Sequence, residues 1–324
     1  MTQPTHVPDN VPDPYDIAPE VAAALASGGP VVALETAVLT HGLPHPLGLE
    51  TVLSMQDAVR AAGALPAVVG MLAGRLIVGL DDAQLAALAK APAPRKLGRR
   101  DLAVAALAGA DGGTTVSATC WAAARAGIAV FATGGIGGVH RGAAQDVSTD
   151  LQALAQSPVL VVASGAKSLL DLPATLEVLE TWGVPVLGYG TDRFPAFYVA
   201  ETDLPLTSSV NGPDAAARAW LLARRLGLPG GMLLAVPVPA QSAIAAAEVE
   251  AWVASATAEA VAAGITGQAV TPWVLARLAS LSGGRTLVAN QALLVNNARV
   301  AGEVAGRIAG DAGGSRLHVT HMKP

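Results

Sequence analysis

Short apolar runs separated by amphipathic stretches set the rhythm of this chain. Residues 30–34 (PVVAL), 66–71 (PAVVGM), 128–132 (IAVFA), 159–163 (VLVVA), 184–189 (VPVLGY) and 231–236 (GMLLAV) are five or six residues of nearly unbroken apolar character. That is the length and composition of strands buried on both faces. Residues 75–78 are placed to pair with 66–71 as a hairpin. Between these runs, residues 49–62, 81–90, 101–108, 115–126 and 172–180 read as helices, and 81–90 opens on two aspartates, a helix-start signal. Strands alternating with helices of this length predict βα units around a largely parallel sheet. Beyond residue 236 helix dominates, with helices expected over 240–263, 271–280 and 290–309.

Composition narrows the class. Only 14% of residues are charged, against about 25% in an average domain. Much of the apolar excess is alanine and glycine, which points to dense helix packing or large subunit contacts. No uncharged apolar run reaches the roughly 18–20 residues of a membrane-spanning helix, and no basic-then-apolar leader opens the sequence. The net charge of −5 excludes a strongly basic nucleic-acid surface but leaves room for a local anion site. The single cysteine, Cys120, permits neither an intrachain disulfide nor a cysteine metal cluster, and the six histidines form no HExxH motif. A cytoplasmic protein with no nucleic-acid polymer and no membrane as partner is expected. At about 150 residues per domain, 324 residues suit two domains or one large α/β unit. The division adopted is a flexible lead over 1–16, one domain over 17–309 and a loose tail over 310–324, the tail including the His318 and His321 pair.

Polar groups follow directly on the apolar runs, where open α/β sheets gather their ligands. Glu35 follows PVVAL; a carboxyl there is either a partly desolvated general acid or a helix cap or ion-pair partner. Lys167 follows VLVVA and the small residues Ser164, Gly165 and Ala166, a setting for a nucleophilic amine or for an ordinary snorkelling lysine. Thr133 to Gly138 (TGGIGG) is either a nest offering N–H groups to a ligand or a site of tight packing, and His140 and Arg141 follow it. It has neither the spacing of a dinucleotide fingerprint nor the ending of a P-loop. Asp146 and Asp150 are four apart and suit a hard divalent ion completed by water, or a helix cap, which Asp146 or Ser148 would supply. Arg95, Lys96, Arg99 and Arg100 form a cationic island able to hold a phosphate, or a solvated loop.

Nine segments, in order, resemble the pseudouridine-5'-phosphate glycosidase family, which includes the indigoidine synthase A-like proteins. They are VALETAVLTHGLPHP (32–46), RKLGRRDLA (95–103), GTTVSAT (113–119), FATGGIGGVHRGA (131–143), DVSTDL (146–151), VVASGAKSLLDLPATLEVLET (161–181), GYGTDRFPAFY (188–198), GITGQAVTPW (264–273) and ANQALLVNNA (289–298). The resemblance covers roughly residues 17–309. It implies an α/β/α layered fold with a central mixed, mostly parallel sheet, a homotrimer, and one Mn²⁺ per subunit. It also implies hydrolysis of the C–C glycosidic bond of pseudouridine 5'-phosphate, giving ribose 5-phosphate and uracil through a lysine imine. By the same resemblance Glu35 is the proton donor, Lys167 the nucleophile and Asp146 the metal ligand. Lys96 contacts the phosphate, and Ser148, Asp150, Val116 and Asn290 contact the substrate; Thr133, Gly134 and His140 complete the expected binding set.

The chemistry suits these residue types. A C–C glycoside has no glycosidic oxygen for a carboxylic acid to protonate, so an iminium formed on lysine supplies the electron sink. The chain departs from the family in a shorter HRGAAQDVSTD segment (140–150) and in SSVNGPDAA (208–216). Those departures motivate two alternatives: a related glycosidase or lyase on another 5'-phosphorylated C-nucleoside, or a weakly active sugar-phosphate binding protein.

Overall fold

The computed structural model describes residues 13–314. Its strands are β1 (Tyr15–Ile17), β2 (Val31–Leu34), β3 (Leu65–Leu72), β4 (Arg75–Val78), β5 (Arg95–Leu97), β6 (Gly112–Thr114), β7 (Val130–Ala132), β8 (Val139–His140), β9 (Ala143–Val147), β10 (Leu160–Ala163), β11 (Leu170–Asp171), β12 (Val186–Tyr189), β13 (Ser209–Val210) and β14 (Met232–Ala235). The helices are α1 (Pro19–Ala26), α2 (Leu47–Ala61), α3 (Asp82–Ala89), α4 (Leu102–Leu107), α5 (Val116–Ala126), α6 (Thr149–Gln156), α7 (Leu172–Thr181), α8 (Pro213–Arg225), α9 (Ala246–Ala262), α10 (Val270–Leu281) and α11 (Arg285–Gly314).

The main sheet runs β1–β4–β3–β2–β7–β10–β14–β12–β13, with β6 joined to β3 and β5 to β6. Its centre, from β3 to β12, is parallel throughout. The β3–β4 hairpin and the β3–β6 pair are antiparallel, which makes the sheet mixed. Every residue of β2, β7, β10 and β14 is buried, as their continuous apolar runs require. Helix α11 lies over β2, β7 and β10 and packs on α2 and α8, while α5 and α6 pack together, α5 on β2 and β7 and α6 on β14. The result is an α/β/α layered fold. A small antiparallel sheet, β11–β8–β9, stands beside it.

The differences from the sequence reading have local causes. The helix expected over 240–263 is broken: Pro239 leads into a single turn at Ala240–Ser242, Ala243 is extended, and Ile244 N–H donates to the Tyr198 carbonyl at 2.9 Å, so the helix begins at Ala246. Helices α1, α6 and α8 were not anticipated, although Pro at the first turn of α1 and α8 and the Ser148 cap of α6 are start signals. Tyr15–Ile17 pairs in parallel with β4, so ordered structure begins within the segment read as a flexible lead. At the other end α11 continues to Gly314, into the segment read as a tail. Residues 1–12 and 315–324, with the His318 and His321 pair, lie outside the described residues. Among the described residues no helix is long and apolar enough to cross a membrane.

Candidate active site

Three neighbouring parallel strands bring the principal polar groups together. In register, Leu34 lies beside Ala132, and Ala132 beside Val162. The residues that follow, Glu35, Thr133 and the 164–167 turn, therefore leave the sheet at one rim. Glu35 is buried, and its Oε1 accepts a short hydrogen bond from the Thr133 hydroxyl. Burial pushes its carboxyl above the ordinary range; the charges of Lys167 and Lys96 and the Thr133 bond oppose the rise, while Asp150 adds to it. Lys167 Nζ donates to the Gly135 carbonyl at 2.8 Å. The two turns are also joined through backbone: Ser164 N–H to Gly134 O at 2.8 Å, Ile136 N–H to Gly165 O at 3.0 Å and Lys167 N–H to Ile136 O at 3.1 Å.

A cavity of about 350 Å³ opens over this rim. Glu35, Lys96, Gly134, His140, Asp146, Ser148, Asp150, Lys167 and Asn290 all line it. Two expected residues do not. Thr133 is fully buried behind Glu35, and Val116 is buried at the start of α5, with Thr115 lining the cavity in its place. Of the cationic island, Lys96 and Arg100 reach the cavity, whereas Arg99 is turned to Gln156, which accepts from it at 2.6 Å. Burial pulls Lys96 below the ordinary lysine range, and the nearby charge of Lys167 acts the same way.

The glycine run serves packing as well as lining. Gly137 N–H donates to Asp150 Oδ2 at 2.9 Å, and a Cβ on Gly137 would stand 2.3 Å from Ser148 Oγ. A Cβ on Gly135 would stand 2.6 Å from the Phe197 ring. Asp150 is buried, and its other oxygen accepts from Ser117 N–H at 2.9 Å, in the first turn of α5. Ser148 caps α6, its Oγ accepting from Asp150 N–H at 3.2 Å.

The metal expectation is corrected by the donor set. Among the described residues no group of three or more His, Cys, Asp or Glu side chains is arranged to hold a metal ion. Asp146 sits on β9 with its side chain 58% exposed, and its Oδ2 lies 3.2 Å from His140 Nδ1. Asp150, the other carboxylate read as suited to a hard ion, is turned to backbone N–H groups instead. The Mn²⁺ assigned to Asp146 does not fit this arrangement.

Arg100 lines the cavity as the cationic run allowed, and among the lining residues that the sequence reading did not single out are His41 and Phe197. His41 lies on the π-helical turn Val38–Gly42, half-buried, with Nδ1 2.7 Å from Thr40 Oγ1. Burial and then the charge of Lys96 lower its pKa. Phe197, at φ +60°, holds its ring against Gly134 and Gly135. A turn type and a contact between distant segments place His41 and Phe197, and neither leaves a periodic signal.

The fold and this rim define a polar cavity at the carboxyl ends of the strands of an open α/β sheet. The sequence model described as Indigoidine synthase A like protein matches residues 20–307, and the chain belongs to that family. It is an enzyme family. The chain is 53% identical over 291 residues to the pseudouridine-5'-phosphate glycosidase of Herpetosiphon aurantiacus, covering 89% of this chain and 96% of that one. It is 49% identical over 294 residues to the protein of the same name from Jannaschia, covering 90% and 97%. Among solved structures it resembles the prealnumycin C-glycosynthase AlnA in complex with ribulose 5-phosphate, with TM-score 0.85 and 41% identity over 95% of this chain and 100% of that one. An indigoidine synthase A-like protein of Thermotoga maritima gives TM-score 0.84 at 33% identity over 91% of this chain and 96% of that one.

Proposed function

We propose that this chain hydrolyses the C–C glycosidic bond of pseudouridine 5'-phosphate, releasing ribose 5-phosphate and uracil. The observation that carries the reading is a buried acid and a lysine at one rim of the sheet, Glu35 after β2 and Lys167 after β10 on either side of β7, lining one cavity with Lys96. The near-full-length identity to proteins named for that activity supplies the substrate. The ribulose 5-phosphate named with the C-glycosynthase supports a pentose 5-phosphate in a site of this shape.

In this reading Lys96 and Arg100 hold the phosphate. The Lys167 amine bonds to C1' as the C1'–O4' bond breaks and the ribose ring opens, an amine proton passing to O4'. The uracil ring carbon that was bonded to C1' takes a proton, the C–C bond breaks, and its electrons stay with uracil while C1' becomes an iminium on Lys167. Water adds to the iminium, releasing ribose 5-phosphate and the free amine. Glu35 is the proton donor: burial keeps its proton at a pH where ordinary carboxyls have lost theirs. Both Asp150 oxygens are engaged by backbone N–H groups, which favours a positioning part for it. Ser148, His140, Asn290 and Asp146 line the remaining walls, within reach of a substrate held there.

Residues 17–309 are read as one catalytic unit, supported by a core cluster running from Val21 to Ala305. A cytoplasmic homotrimer is proposed with it; exposed Leu222 and Leu226 at the end of α8 and Val104 and Leu107 on α4 are apolar surface suited to subunit contacts.

The direct test is uracil release from pseudouridine 5'-phosphate, followed chromatographically. Equal amounts of uracil and ribose 5-phosphate are expected. No release, with ribose 5-phosphate failing to protect the protein from thermal unfolding, would refute the reading.

A further inference from the structure

We infer that Asn297 is a positioning residue that holds Glu35 and Lys167 in their mutual geometry by binding the turn both depend on. This rests on the proposed function for its kinetic consequences and on the structure alone for its geometry.

Asn297 lies on α11 and is completely buried. Its Nδ2 donates to the Thr133 carbonyl at 2.8 Å and lies 3.4 Å from the Gly134 carbonyl and 3.2 Å from Ser164 Oγ. Its Oδ1 lies 3.3 Å from the same serine hydroxyl. Two carbonyl acceptors can be met only by the NH₂ end, so the orientation of the amide is fixed by chemistry. A buried amide engaged by both turns satisfies groups that water cannot reach, and its loss removes the donor on the Thr133 carbonyl, while the Gly134 carbonyl keeps the Ser164 N–H.

What makes the contact consequential is what else those turns carry. The side chain of Thr133 binds Glu35, and the carbonyl of Gly135 binds Lys167 Nζ. Asn297 grips the backbone between these two connections and ties it to Ser164, where the lysine turn begins. One side chain of α11 thus bridges the ends of β7 and β10, the first holding Glu35 through the Thr133 hydroxyl and the second opening the turn that carries Lys167. Asn290, seven residues earlier on the same helix, lines the cavity, as does Leu294 between them. The spacing places all three on one face of α11. The helix therefore supplies the cavity wall at one level and the clamp below it.

The consequence is specific. Releasing the turn frees Thr133, and Glu35 loses the hydrogen bond that opposes the effect of burial. Lys167 and Lys96, from the 164–167 turn and from β5, and Asp150, from α6, still face the carboxyl, so the change comes through Thr133. Asn297→Ala should raise the midpoint of the Glu35 carboxyl, read by carbon NMR in protein labelled at glutamate and assigned with Glu35→Gln. Thr133→Val, which removes the hydroxyl at nearly constant shape, should raise it in the same direction. The double variant should shift little beyond Thr133→Val alone, because both act through one bond. With pseudouridine 5'-phosphate, Asn297→Ala should lower kcat about 10-fold or more and leave KM within about 2-fold, as expected of misplaced reacting groups. Should Asn297→Ala fail to fold, Ser164→Ala removes one partner of the clamp and should give a smaller shift of the same sign. An unchanged Glu35 midpoint in the folded variant, or independent shifts that add in the double variant, would overturn the inference. If the wild-type protein releases no uracil, the functional reading fails while the titration still decides the role of Asn297.

Discussion

Burial displaces Glu35 and Lys96 in opposite directions, raising the carboxyl and lowering the amine. A proton donor must be protonated, so activity should fall as pH rises through the elevated Glu35 midpoint, and Glu35→Gln should cost about 10²–10⁴-fold in kcat. Stability carries the same signature. The unfolded Glu35 ionises near its ordinary value of 4.5, the folded one later, so the folded state loses stability across that window as pH rises. The melting temperature of Glu35→Gln relative to wild type should therefore increase from pH 4 to pH 8 by calorimetry. The two lysines separate by role. Lys167→Ala should abolish turnover while leaving ribose 5-phosphate binding measurable. Lys96→Ala should raise KM roughly 10- to 100-fold, the value of a charge-assisted contact, with Arg100 blunting the loss. Glu35 and Lys167 were legible because each follows a buried run in sequence. Thr133 was legible as a residue but not as the partner of Glu35, since the two are joined by strand adjacency. The metal role of Asp146 came from resemblance, and the surrounding donor set does not sustain it.

At the scale of elements, the central strands were legible from unbroken apolar runs, and the β3–β4 hairpin from its short Ala73–Gly74 connection. Short strands such as β5, β6 and β8 carry too few residues to show a period, yet β5 delivers Lys96. The alanine-rich 240–263 segment misled for the opposite reason: high propensity says nothing of a backbone hydrogen bond from Ile244 to Tyr198. The turn after β10 offers a clean contrast. Gly165 has φ +64°, and a Cβ there would stand 1.9 Å from the Pro195 carbonyl oxygen. Gly190 has φ +67° with nothing within 4 Å. Gly190→Ala should cost only the left-handed strain, about 1–2 kcal/mol. Gly165→Ala adds a backbone clash and should cost about 1–3 kcal/mol more by urea unfolding, with loss of activity because Lys167 moves with the turn.

For the whole molecule, the alternation of elements pointed to a largely parallel sheet and the family resemblance to its α/β/α layering, whereas assembly leaves little trace in one sequence. Light scattering should give roughly three times the 32.3 kDa chain mass, and a monomer mass would remove the trimer. The central claim is that Lys167 forms a covalent imine with the pentose 5-phosphate. The protein should be incubated with ribose 5-phosphate, reduced with borohydride, digested and mapped by mass spectrometry. The account requires the reduced adduct on Lys167 and none in Lys167→Ala. A label on Lys96 with Lys167 unmodified, or no adduct in a protein that still releases uracil, would contradict it.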